Sequence, residues 1–243
     1  MNDYSKYFYV ASCIFTNGFP KTSEVIQEYI AKRYDMPIIR CCVPNFRVKE
    51  LAEMVPEAHR ANWEKLPVYE EFGPDSTMIY LCHNCLSIFQ EQKPEIKAKS
   101  LWELILEDES FVYPDYKGVK MTVQDCWRSY DNITEQNVVR ELLKKLNIEI
   151  VEQEENFEKT DFCGYSLYQP SPPRNLKLAP KRYVENAVGK FIPHTEEEKK
   201  ELMGKYCERF TTDKVVAYCH YCYDGLRLGG TDAQHLACLL FPE

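Results

Sequence analysis

No stretch of the 243 residues approaches the roughly 18 uninterrupted apolar residues that a membrane span needs, so no spanning segment is expected. Dense blocks of Lys and Arg are also missing, and the net charge is -8, which argues against a nucleic-acid-binding surface. The opening residues Met-Asn-Asp-Tyr-Ser-Lys have neither the basic n-region nor the apolar h-region of a signal peptide, so a cytoplasmic location is expected. The C-x2-C-x2-C-x3-C run of a bacterial ferredoxin is absent too, which excludes a built-in electron relay of that type.

What the chain does have is cysteine, eleven in all. In a cytoplasmic protein that number points to metal ligation or catalysis rather than to structural disulfides. Two stretches repeat one design, Cys82-His83-Asn84-Cys85 and Cys219-His220-Tyr221-Cys222. Each follows an apolar run of strand character, Met78 to Leu81 in one case and Val215 to Tyr218 in the other. A CxxC between a strand and a helix aims two sulfurs at one point, beside a helix N-terminus whose dipole favours thiolate. Taken alone it suits a redox dithiol, half of a zinc site or one corner of a cluster.

The flanking sequence repeats as well. Residues 7 to 15 read as a buried strand that delivers Cys13 near its end, and Val119 to Val123 as a strand leading into Cys126. With Cys13 set on Cys126, Val25, Ile26, Tyr29 and Ile30 fall without a gap on Val138, Val139, Leu142 and Leu143. These are the inward faces expected of two helices, one capped by Thr22 or Ser23 and the other by Thr134. Met36 to Arg40 predicts a strand ending in Cys41-Cys42-Val43-Pro44, and Ile148 to Val151 a strand followed by Asp161-Phe162-Cys163-Gly164. Residues 46 to 76 predict short helices and loop. Residues 165 to 194 are an insertion rich in Pro and Lys/Arg, expected to be loop with a short helix. A charged helix is expected from about Thr195 to Phe210.

Strands alternating with helices predict an α/β protein of two pseudo-repeated lobes with mostly parallel sheets, 1–115 and 116–243. The cysteines then sit at the carboxyl ends of the strands, where open α/β sheets bind ligands. The first lobe is expected to gather Cys13, Cys41, Cys42, Cys82 and Cys85, and the second Cys126, Cys163, Cys219 and Cys222. Five thiolates exceed what tetrahedral zinc or an ordinary cubane cluster takes; four satisfy either. Cys238 reads as a buried small hydrophobe, and Cys207 as the same or a stray ligand. His83 and His220 are candidate ligands or proton donors, or residues that orient the turn or face solvent. Arg128 is a candidate partner for an anionic substrate or for a cluster's negative charge, or else a member of a surface ion pair.

The order of a lone Cys, a Cys-Cys step and a CxxC, given twice between Cys13 and the closing Gly229-Gly230-Thr231-Asp232-Ala233-Gln234-His235-Leu236, resembles the cysteine-rich CCG family, typified by the heterodisulfide reductase subunit that carries this motif. The likeness covers nearly the whole chain. It implies a noncubane [4Fe-4S] cluster on each five-cysteine set, with a disulfide substrate split between the two. The first set, Cys13, Cys41, Cys42, Cys82 and Cys85, is complete, with Val43 where the family has Gly. The second lacks one ligand because Phe162 replaces the first cysteine of the pair, leaving Cys126, Cys163, Cys219 and Cys222 for a second [4Fe-4S] cluster or for zinc. The function implied is an iron-sulfur redox protein that reduces or binds a small thiol or disulfide at the first set, fed by an electron-donating iron-sulfur or flavin protein. The alternative is a non-catalytic electron-relay or metal-bearing subunit that docks on a partner oxidoreductase. A metal-free CxxC dithiol oxidoreductase leaves Cys41-Cys42 unexplained.

Overall fold

The computed structural model describes residues 4–40, 48–67 and 72–242. Cys41, Cys42, Val43 and Pro44 therefore lie outside the described residues. The chain divides into two compact units, Met1–Leu104 and Ile105–Pro242.

The first unit runs β1 (Tyr7–Val10), α1 (Cys13–Gly18), α2 (Pro20–Tyr34), β2 (Ile38–Ile39), α3 (Val48–Met54), α4 (Glu57–Lys65), β3 (Thr77–Tyr80), α5 (His83–Gln92), β4 (Lys97–Ser100) and α6 (Leu101–Glu107), the last of which crosses the boundary. The second unit has β5 (Val119–Gln124), α7 (Ile133–Lys145), β6 (Ile148–Val151), α8 (Pro173–Leu178), α9 (Pro180–Tyr183), α10 (Glu196–Cys207), β7 (Lys214–Ala217), α11 (His220–Leu228), β8 (Asp232–His235) and α12 (Leu236–Leu240). Each unit carries one four-stranded, all-parallel sheet, in the order β2-β1-β3-β4 and β6-β5-β7-β8. Among the described residues no helix is long and apolar enough to cross a membrane.

The duplication holds at the level of register. Tyr9 lies opposite Ile38 and Thr122 opposite Val151, displaced by the same interval that separates Cys13 from Cys126. The outer pairs repeat too, Tyr80 with Ser100 and Ala217 with His235. Parallel neighbours require a crossover, and each crossover ends by presenting the next strand's carboxyl end on the same sheet edge. Within each unit, the described cysteines that directly follow a strand consequently lie at the carboxyl edge of that unit's own sheet.

Local chemistry moves several expected boundaries. The first strand stops at Val10 because the Ser12 hydroxyl accepts the Phe15 amide and caps a short helix; Cys13 opens that helix rather than closing the strand. α2 starts at Pro20, a position that tolerates a missing amide hydrogen, and not at Thr22 or Ser23, which are buried, with the Ser23 hydroxyl bonded to that of Thr16 at 2.7 Å. In the second unit the cap is Asn132, whose Oδ1 accepts the Glu135 amide at 3.2 Å, and not Thr134. Thr195 and Glu198 form a reciprocal capping box that starts α10. The edge strands β4 and β8 escape prediction, since Lys-Ala-Lys-Ser and Asp-Ala-Gln-His have no apolar alternation to betray them. The 165–194 insertion is more helical than expected, with 3-10 turns at Gly164–Tyr168 and Glu185–Ala187 around α8 and α9.

The core of each unit is the inward face of the helices on the sheet. Ile26 and Ile30 of α2 and Val139, Leu142 and Leu143 of α7 are fully buried, whereas Val25, expected to face inward, is 48% exposed. Leu142→Ala should therefore cost about 3 kcal/mol through the cavity it opens, against less than about 0.5 kcal/mol for Val25→Ala. Urea midpoints of the two variants check this expectation.

Candidate metal centre

In the second unit, β5 and β7 pair with Thr122 opposite Val215. Cys126 and Cys219 each stand four residues further on, so parallel strands carry them to the same height above the sheet edge. Cys219 is the N-cap of α11 and Cys222 lies in its first turn. Cys126 caps a 3-10 turn, Trp127–Ser129, with its sulfur accepting the Arg128 amide at 3.4 Å. Cys163 arrives from the chain after β6 and leads into the Gly164–Tyr168 turn. The four sulfurs all lie within 4.8 Å of one another, with Cys126 and Cys163 at 3.4 Å, and all four residues are buried. Four thiol ligands gathered at one point can hold a metal.

Gly164 explains the seat of Cys163. Its φ of +58° favours glycine, and a Cβ there would overlap the carbonyl oxygen of Tyr221, inside the CxxC turn. Across from it, a Cβ on Gly225 would collide with the Gly164 Cα. The backbone after Cys163 thus lies directly on α11, which brings its sulfur down to Cys219 and Cys222.

A second anchor holds Cys126. The neighbouring Asp125 carboxylate is fully buried and takes a two-pronged bond from Arg140, Nη1 to Oδ1 at 2.6 Å and Nη2 to Oδ2 at 2.8 Å. It also accepts the Tyr218 hydroxyl at 2.8 Å and the Phe157 amide at 2.8 Å. Arg140 in turn clasps Glu152 through Nε at 2.8 Å and Nη2 at 2.9 Å. One buried network therefore joins the ends of β5 and β7, immediately before Cys126 and Cys219. Arg140 is held protonated well above its usual range: burial opposes this, but the bonds to Glu152 and Asp125 outweigh it. In the sequence, a carboxylate between an apolar strand and a cysteine is the only sign of this network, and it drew no expectation.

Arg128 lies against the sulfurs themselves. It is 3% exposed, not part of a surface ion pair, and its Nη1 donates to the Cys163 sulfur and to Ser166 Oγ at 3.1 Å. Ser166 Oγ donates to the Cys163 carbonyl at 2.7 Å, so one hydroxyl ties the guanidinium to the ligand's backbone. Burial pushes the Cys163 thiol up, yet hydrogen bonds from Cys126 and Cys222 and the Arg128 charge hold it below the usual thiol range. Burial and hydrogen bonds with neighbouring sulfurs push Cys126 and Cys222 well up.

The remaining candidates fall elsewhere. Cys82 caps α5 and Cys85 occupies its first turn, the same placement as Cys219 and Cys222, and both are buried. Cys13 is half-buried. The fully buried Tyr9 lies close to Cys82 and Cys85, and its phenol is pushed up by burial and then by Cys85 and Cys82. Their expected partners Cys41 and Cys42 are outside the described residues. Among the described residues the second-unit quartet is the one set of three or more ligand side chains drawn together. Phe162 is buried with its ring stacked on Tyr206 at 4.1 Å, lining a cavity of about 650 Å³. His83 and His220 are both buried, so neither faces solvent, and neither joins the quartet; the His220 ring lies 4.0 Å from that of Tyr221. Cys207 is half-buried with its sulfur 3.8 Å from the Leu226 carbonyl, outside the quartet, and Cys238 is also half-buried rather than buried.

Two substitutions test this construction. Gly164→Ala should abolish metal binding by the quartet, whereas Gly118→Ala, at φ +74° with open space around it, should cost only about 1 to 2 kcal/mol of backbone strain and leave binding intact. Asp125→Asn should lower stability by about 2 kcal/mol by removing one of the two carboxylates that compensate the buried Arg140 charge, Glu152 being the other; a denaturation midpoint equal to that of the unsubstituted chain would contradict the role assigned to the network. Compared with known protein families and with characterised proteins, the sequence matches none.

Proposed function

We propose that this chain is a metal-bearing redox protein of the CCG type found in heterodisulfide reductase, with thiol or disulfide chemistry at the first-unit cysteines and a closed metal centre in the second unit. One observation carries the reading: two sheets of the same strand order and matching outer registers present a lone cysteine and a CxxC at corresponding strand ends, and in one of them four sulfurs converge.

The quartet is read as a site for a single tetrahedral ion such as zinc. With metal-sulfur bonds of about 2.3 Å, the ligands of one tetrahedral ion stand about 3.8 Å apart. Sulfurs that all lie within 4.8 Å match that spacing. A cubane interposes two irons between any two of its thiolates and needs a wider cage. The quartet is also sealed from solvent, which suits a structural or relay role and leaves substrate chemistry to the first unit.

In the first unit, Cys13, Cys82 and Cys85 would join Cys41 and Cys42 as ligands. A noncubane [4Fe-4S] cluster, when bound, supplies one-electron chemistry on sulfur. The chain's own contribution is the dipole of α5 at Cys82 and Cys85, which favours thiolate, and the apolar packing around Tyr9, which keeps water from their inner side. Electrons would come from a separate iron-sulfur or flavin protein. The sealing of the quartet also favours a second reading, a metal-bearing subunit that docks on a partner oxidoreductase without catalysing the reaction itself.

Iron, sulfide and zinc per chain, measured on anaerobically purified protein with an EPR spectrum, tests the proposal. The expected result is about four irons with sulfide and about one zinc. Cys42→Ala should lose the iron and Cys238→Ala should keep it. Zinc without iron, even after anaerobic reconstitution, would overturn the redox reading and leave the docking subunit.

A further inference from the structure

Among the described residues, Arg128 is the cation that the second-unit fold buries against the sulfur quartet, and its surroundings are unusual for a guanidinium. A buried cation ordinarily sits on a carboxylate. Among the described residues Arg128 has none: its bonds go to the Cys163 sulfur and the Ser166 hydroxyl, and its Nε is buried without a partner. The rest of its shell is aromatic, with Tyr221, Tyr183 and Trp127 at 4.7, 5.8 and 5.9 Å from the guanidinium carbon. The nearby carboxylate of Asp125 is already taken by Arg140, Tyr218 and the Phe157 amide. The anion that compensates Arg128 is therefore the thiolate set itself.

From this juxtaposition we infer that Arg128 is a positioning residue for the metal centre: a fixed counter-charge that sets how tightly the quartet holds a divalent ion, and the redox potential if that ion is iron. The inference rests on the proposal that the quartet takes a single ion. Four thiolates around a divalent ion carry a net charge of about minus two, and in a dry site an adjacent cation halves it. One nitrogen of Arg128, Nη1, reaches Cys163 and Ser166 together while the flat guanidinium lies near the Tyr221 ring, within the CxxC. A lysine supplies the charge and a single donor nitrogen but not the flat face that packs on the rings. Outer partners of metal ligands typically contribute about 10- to 100-fold in affinity.

The test loads the full chain with Co2+, whose tetrathiolate absorption reports the site, and sets its affinity against a chelator. Signal lost in Cys222→Ser is assigned to the quartet. Arg128→Gln should bind Co2+ about 10- to 100-fold more weakly with the tetrathiolate band shape unchanged, and Arg128→Lys should recover most of that loss. Loaded instead with a single iron, Arg128→Gln should show a lower Fe3+/Fe2+ potential and Arg128→Lys a potential near that of the unsubstituted chain. Equal affinity and potential in Arg128→Gln and the unsubstituted chain would overturn the inference, as would an Arg128→Lys variant as impaired as Arg128→Gln. Should Arg128→Gln fail to fold, Arg128→Lys decides alone: Co2+ affinity within about tenfold of the unsubstituted chain supports the charge role, and a loss of about 100-fold overturns it. Failure of the unsubstituted chain to bind Co2+ at all would instead refute the single-ion proposal.

Discussion

Four cysteine sulfurs held within 4.8 Å in a solvent-free interior form the constraint on which the second unit is built. Thiols so placed cannot all ionise without compensating charge, and burial pushes Cys126 and Cys222 strongly toward the neutral form. Cys163, by contrast, lies below the usual thiol range: burial opposes this, but hydrogen bonds with Cys126 and Cys222 and the Arg128 charge outweigh it. A divalent cation at the quartet would resolve the conflict that the fold creates. Its binding would then contribute folding free energy, since the unfolded chain has no such site.

Geometry of that kind requires each cysteine to be fixed from outside the cluster, and the structure uses a different device for each segment. Register between β5 and β7 sets Cys126 and Cys219 side by side. Contact between Gly164 and Gly225 seats Cys163 on α11. The Asp125 and Arg140 network clamps the strand ends below the sulfurs, with Tyr218 reaching across from β7's exit. The first unit repeats the strand order and the placement of its CxxC at the start of α5. There the central pairing differs slightly: with Tyr9 opposite Ile79, Cys13 stands four residues on and Cys82 three. The two lobes are thus one design with different detail at the strand ends.

Much of this was legible in the chain. The α/β alternation, the duplication and the second-lobe quartet follow from apolar periodicity and cysteine spacing, both local features. What stayed hidden depends on contacts distant in sequence. The burial of Arg128 and Arg140 could not be read, because arginine is exposed by default and only its partners overrule that. Gly164 was visible as a motif letter, but its reason lies in the Tyr221 carbonyl, far along the chain. The polar edge strands β4 and β8 carry no alternation, since pairing on one side and not burial on two faces defines them. Helix starts moved for a similar reason: Ser12 and Asn132 as caps and Pro20 as a first helical residue outcompete equally plausible neighbours through backbone geometry that composition does not encode.

The central claim is that the quartet holds one tetrahedral ion through four sulfurs. X-ray absorption at the zinc edge of the purified chain tests it most directly. The account predicts four sulfur neighbours at about 2.3 Å and no second metal beyond them. Nitrogen or oxygen ligands in place of any of the four sulfurs, or a chain that takes up no zinc, would contradict it.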